Sequence, residues 1–79
     1  MAPGDTWRKL PLYYVIIEAL ERRGGRAVDE ELYKDIVDQR YDITFSEFLH
    51  ELMKLEMQGL VRVNVLKEDK RNVELVRSP

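Results

Sequence analysis

The stretch KLEMQGLVRVNV, residues 54–65, decides the fold. Its first half belongs to a helix that stops at Gly59, a residue suited to the left-handed turn that closes helices. From Leu60 the apolar period changes to two. Val61, Val63 and Val65 fall on one face, with Arg62 and Asn64 on the other. A charged helix therefore passes directly into a strand. The polar run KEDKRN, residues 67–72, and the segment VELVR, residues 73–77, then predict an antiparallel hairpin with a long charged turn.

Upstream of this junction, TFSE places Thr44 and Glu47 at the spacing of a capping box. Ile43 and Phe48 are its matching hydrophobic staple. The helix so begun carries Phe48, Leu52 and Leu55 on its apolar face, with Met53 beside them. An earlier helix is predicted from an N-cap at Asp29, with Glu30 and Glu31 in its first turn. Leu32, Tyr33, Ile36 and Val37 recur at helical spacing there, Val28 and Tyr33 form a second staple pair, and the helix ends near Gln39 or Arg40. The short run RAV, residues 26–28, predicts a small strand before it. The first helix reads PLYYVIIEALERR, opens at Pro11 and stops at Gly24-Gly25. Residues 1–10 form an arm, with Trp7 and Leu10 as its apolar anchors. The domain proper spans residues 11–79.

Composition narrows the function. Seventy-nine residues make one domain, and a 44% hydrophobic content is ordinary for a globular chain. The absence of cysteine excludes disulfide frameworks, thiolate metal sites and thiol nucleophiles. The longest apolar run, Leu12 to Ile17, is too short to span a bilayer, and MAPGDTWRK carries no signal-peptide pattern of a basic start followed by an apolar stretch. A soluble, cytoplasmic protein with no membrane association is expected. No glycine-rich phosphate loop, cofactor motif or catalytic constellation is visible, so neither an enzyme nor a cofactor is expected. The net charge of −2 and pI near 5.4 run against a small dedicated nucleic-acid binder, which is usually basic.

The order helix, short strand, helix, turn, helix, hairpin resembles the winged helix-turn-helix family, over roughly residues 11–77. The segment FLHELMKLEMQGLVRVNV carries the likeness through Phe48, Leu52, Leu55, Gly59, Leu60 and Val61. The chain resembles small archaeal winged-helix proteins described as transcriptional regulators. The resemblance implies an α+β fold of three helices and a C-terminal β-hairpin wing, and a partner in double-stranded DNA. It would put the third helix in the major groove through Ser46, His50 and Lys54, and Lys67, Lys70 and Arg71 of the wing on phosphates. Arg26 and Lys34 would add backbone contacts.

The third helix departs from that pattern. Residues 44–58 carry Glu47, Glu51 and Glu56 against Lys54 alone, a net of −2. Acids near phosphates are repelled, and base-reading helices favour Arg, Lys, Asn, Gln or Ser. A second function therefore stands beside the first: a winged helix used as a protein-interaction module, binding through Leu49 and Met53 amid the acids. Charge in space separates the two. Basic residues gathered on one face favour DNA, and acids interleaved with them favour the interaction module.

The first helix is apolar nearly all round, so either the arm and hairpin cover its excess or, the reading favoured, a homodimer packs through Trp7, Leu10, Tyr13, Tyr14 and Ile17. His50 lies one turn from Glu47, but one helix cannot complete a metal shell, so a solvent-facing histidine is expected and no metal. Arg22, Arg23 and Arg26 read as charges that complement the end of the first helix.

Overall fold

The computed structural model describes residues 10–76. In chain order its elements are α1 (Leu12–Arg22), β1 (Arg26–Val28), α2 (Asp29–Asp38), α3 (Phe45–Met57), β2 (Val61–Lys67) and β3 (Lys70–Leu75). The strands form one antiparallel sheet in the order β1-β3-β2. This α+β arrangement of three helices and a three-stranded sheet is compatible with the expected element order. The arm over residues 1–9, with its anchor at Trp7, lies outside the described residues, as do residues 77–79. No helix among the described residues is long and apolar enough to cross a membrane.

Local chemistry sets the helix ends. Thr44 Oγ1 accepts from the Glu47 N–H at 3.1 Å, and Glu47 Oε1 accepts from the Thr44 N–H at 2.9 Å. That is the capping box the spacing predicts. All three helices close in the same way, by a Schellman pair of backbone bonds around a left-handed residue. After α1, Gly25 N–H bonds Leu20 O at 2.7 Å and Gly24 N–H bonds Glu21 O at 3.0 Å. After α3, Leu60 and Gly59 do the same with Leu55 and Glu56, both at 2.9 Å. After α2 the left-handed position is held by Arg40, at φ 66°, where a side chain is disfavoured.

The three helices cover one face of the sheet. Between them lie Val15, Ile16, Ala19 and Leu20 of α1, Leu32 and Ile36 of α2, Ile43, and Phe48, Leu52 and Leu55 of α3, closed by Ala27, Val61 and Val73 from the sheet. The helical and strand periods read from the sequence select this set. Each fully buried large side chain contributes roughly 1.5–3 kcal/mol by leaving water.

Several expectations are corrected. Asp29 is the first residue of α2 and not its N-cap; Val28, still extended at the end of β1, occupies that position without a side-chain bond. The Asp29 side chain turns inward instead and is fully buried. Tyr33 faces α3, its ring 5.2 Å from Phe45 and 5.6 Å from Phe48, and its hydroxyl donates to Ile43 O at 2.8 Å. The hairpin turn is short: Lys67 pairs with Lys70 and only Glu68-Asp69 stand outside the ladder. Charged side chains there occupy exposed pleat positions, so polarity alone does not end the strands. Met53 lies outside the core at 62% exposure, and Val65 departs from the inward valine row at 71%.

Candidate functional site

The side chains expected to meet DNA fall on different faces. Ser46 and His50 line a hollow of about 510 Å³ beside Tyr41, whose other walls include Asp42, Glu47 and Glu51. Three carboxylates around one imidazole and one hydroxyl make this part of α3 repellent to phosphate. Tyr41 donates from its hydroxyl to Leu10 O at 2.7 Å, and burial, then the nearby Glu51 carboxylate, hold that hydroxyl above its usual range. Lys54, the base of α3, lies 3.6 Å from Glu51.

The other expected cations are interleaved with acids as well. Arg26 Nη2 contacts Glu74 Oε2 at 2.8 Å across the β1–β3 pair. Arg71 Nη1 donates to the buried Asp29 Oδ2 at 3.1 Å, while Asp29 Oδ1 accepts from Glu30 N–H at 2.8 Å. Arg71 therefore latches the hairpin to the start of α2. Lys34, Lys67 and Lys70 are exposed and have no ion pair among the described residues. Arg23 and Arg22 are more than helix-end charges. Arg23 grips Asp35 through Nε and, at 3.1 Å, through Nη2, and reaches Glu31 at 3.5 Å. The Asp35 bond holds the guanidinium above its ordinary value, and the guanidinium holds Asp35 below the usual carboxylate range. Arg22 lies 3.6 Å from Glu18. Among the described residues no group of His, Cys, Asp or Glu is placed to hold a metal ion.

Between α3 and the hairpin runs an apolar groove of about 240 Å³. Leu49, Leu52 and Met53 form one wall and Val63 and Val65 the other, with Glu56 and Arg71 among them. Glu56 Oε2 accepts from the Val63 N–H at 3.4 Å, so the outward edge of β2 is occupied by the helix at that point. Leu49, Met53 and Met57 recur every four residues along α3, and Met57 is 86% exposed. The groove is smaller than ordinary small-molecule pockets, which run from roughly 300 Å³ upward, and matches a socket for a partner's side chain. Of its members the sequence pointed to Leu49, Met53 and Arg71. Glu56 was named among the acids around them; Val65 was missed as a wall, as was Met57 beyond the groove, although the four-residue spacing to Met57 and the unbroken valine row were both visible.

The expected dimer residues are partly gathered. Tyr13, Tyr14 and Ile17 line a second hollow, about 590 Å³, with Leu60, Leu75 and Val76. Tyr13 and Tyr14 are 52% and 45% exposed, Leu10 is exposed, and Ile17 packs partly against the core. Trp7 falls outside the described residues.

No protein-family model, no curated protein and no solved structure matches the chain.

Proposed function

We propose that the chain is a winged-helix domain acting as a protein-interaction module, without catalysis, that seats an amphipathic helix of a partner between α3 and the hairpin. One observation carries this: Met53 and Met57 face solvent beside Val65, in line with the half-buried Leu49, where a DNA-reading helix would present polar groups. Burying such residues drives association, and methionine adapts to the surface it meets. Glu56 at the groove favours a partner with a basic residue beside its apolar anchors. The interleaving of acids with Arg26, Lys54 and Arg71 supports the same choice.

A photo-crosslinking side chain placed at Met53 tests the proposal in the source cell. One protein adduct should form there, and Leu49→Asp should abolish it. Adducts formed equally from a probe at the exposed Arg22 of α1, outside the groove, or adducts with nucleic acid alone, would refute the proposal.

The second reading, a DNA-binding transcriptional regulator, is favoured by the exposed Lys67 and Lys70. It predicts that His50→Ala/Lys54→Ala weakens binding to duplex DNA, whereas the interaction-module reading predicts no effect. The homodimer belongs to the same proposal, through Tyr13, Tyr14 and Ile17. Tyr13→Lys/Ile17→Lys should then lower the sedimenting mass to that of the single chain, and an unchanged mass refutes that interface.

A further inference from the structure

We propose that the hollow beside Tyr41 and α3 is the seat of the chain's own N-terminal segment, residues 1–9, with Trp7 against its apolar wall and Arg8 and Lys9 toward its carboxylates. This goes beyond the interaction-module reading and uses another face of α3.

The hollow offers both kinds of contact that such a segment needs. Leu12, Tyr41 and Ile43 give it apolar surface, and Asp42, Glu47 and Glu51 give it three carboxylates. Only part of that charge is answered. Lys54 lies 3.6 Å from Glu51, and Glu47 spends one oxygen on the Thr44 N–H at 2.9 Å. Asp42 is exposed and has no ion pair among the described residues. The volume of about 510 Å³ falls among sites that enclose a ligand, which run from roughly 300 to 1,000 Å³, and has room for an indole ring.

Connectivity and charge select the occupant. The described residues begin at Leu10, whose carbonyl accepts from the Tyr41 hydroxyl at 2.7 Å, so the chain before it leaves from the rim of the hollow. Three extended residues span at most about 10 Å, which keeps Trp7 within reach. So short a tether supplies an effective concentration on the order of millimolar, which a separate partner would have to match. In MAPGDTWRK one large aromatic ring is followed at once by two cations, with Asp5 as the only acid. A buried tryptophan removes about 150–250 Å² from water, and the cations answer the carboxylates that repel phosphate. Seated there, the segment lies over Ser46 and His50, the side chains that the winged-helix resemblance would put against bases. The protein then covers that part of α3 with its own chain.

Trp7 is the single tryptophan of the chain, so its fluorescence tests this directly. In the full chain it should emit at shorter wavelength than in the urea-unfolded chain and resist quenching by acrylamide. Ser46→Arg fills the hollow and adds a cation, and should return both readings to the unfolded values. Asp42→Asn/Glu47→Gln/Glu51→Gln removes the charge and should raise the quenching toward the unfolded value. Glu47→Gln keeps the capping box, which accepts either side chain. Far-ultraviolet circular dichroism should show the same fold in both variants, because none of the four side chains belongs to the core. Dilution, or Tyr13→Lys/Ile17→Lys, should leave Trp7 as it was, since the contact lies within one chain. Native emission equal to that of the unfolded chain would overturn the proposal, as would emission and quenching unmoved by Ser46→Arg or by the triple variant. Exposure of Trp7 on dilution or in Tyr13→Lys/Ile17→Lys would also overturn it, by giving the ring to a second copy. None of these results depends on the groove at Met53.

Discussion

Replacing Arg71 by leucine should cost more than replacing its partner, because the two ends of this ion pair differ in their access to water. The Asp29 side chain is fully buried, with Oδ2 bonded to Arg71 at 3.1 Å and Oδ1 to the Glu30 N–H at 2.8 Å. The Arg71 side chain keeps a third of its surface exposed. Arg71→Leu leaves a carboxylate in the interior with one partner, and removing one member of a buried pair costs about 3–5 kcal/mol. The remaining bond to Glu30 places this case near the lower end. Asp29→Asn keeps the Glu30 bond through its amide oxygen and lets Arg71 turn to solvent, so the loss should be nearer 1.5 kcal/mol, the lower end of the roughly 1.5–3 kcal/mol range for a charged hydrogen bond. Asp29→Asn/Arg71→Leu removes both charges and should recover most of the Arg71→Leu loss. Urea unfolding followed by circular dichroism reads these differences. With a slope of about 1 kcal/mol/M for so small a domain, a 3 kcal/mol loss moves the midpoint by about 3 M. Equal losses in the two single variants, or no recovery in the double, would refute the idea that a stranded buried carboxylate sets the cost.

Three further outcomes are open to measurement. Arg40→Gly should stabilise the domain by about 0.5–1 kcal/mol in the same unfolding assay, since a glycine adopts φ 66° without the steric cost an arginine bears. Thr44→Ala should cost about 1 kcal/mol, because it leaves the Glu47 N–H without its cap at the start of α3. Asp35 is held below its unfolded value, chiefly by its bond to Arg23, so the pair stabilises the fold above the unfolded carboxylate value of about 3.9 and that contribution fades as pH falls through the lower folded value. Asp35→Asn should accordingly flatten the acid limb of a stability-versus-pH curve and leave its shape at neutral pH unchanged. An acid limb as steep as before would assign the effect to other carboxylates.

What was legible in the sequence is what local spacing determines. Thr44 and Glu47 lie three residues apart and fix the start of α3 from one turn of chain. Gly24 and Gly59 mark two helix ends because their backbone needs are intrinsic to glycine. Arg40 takes the same conformation after α2 without any such sign, and the bonds from Arg40 N–H to Val37 O at 2.8 Å and from Tyr41 N–H to Ile36 O at 3.4 Å show that the turn has the same build. Asp29 was misread because its local setting, an acid before two more acids, looks like a cap. Its partner lies forty-two residues away, and the inward turn is decided there. The residues expected to form one interface are divided between faces for the same reason. Arg26, Lys67 and Lys70 look alike in sequence to Lys54 and Arg71, yet strand parity sends the first three outward and the last inward. Arg62 was visible as the polar alternate of the valine row, but the long turn assumed for residues 67–72 hid the row it completes with Glu74 and Arg26.

That parity gives one hairpin two unlike surfaces. In strict alternation Lys67 would follow Val61, Val63 and Val65 onto the inner face and bring an ammonium group beside the groove at Met53. The extra residue between Val65 and Lys67 breaks the sequence and pairs Lys67 with Lys70 instead. The groove keeps its apolar end, and the outer face gains a cation at the far end from Arg26. A bulge also increases local twist and spoils an edge for pairing with another strand, which matters here because β2 is an edge strand whose exposed Val65 and Leu66 would otherwise invite it. Deleting Leu66 would thus do more than shorten the hairpin. It would place Lys67 directly after Val65, where simple alternation keeps it on the outer face opposite Lys70, and it would remove the bulge that spoils the β2 edge, whereas Lys67→Gln would remove the outer cation and leave that edge as it is.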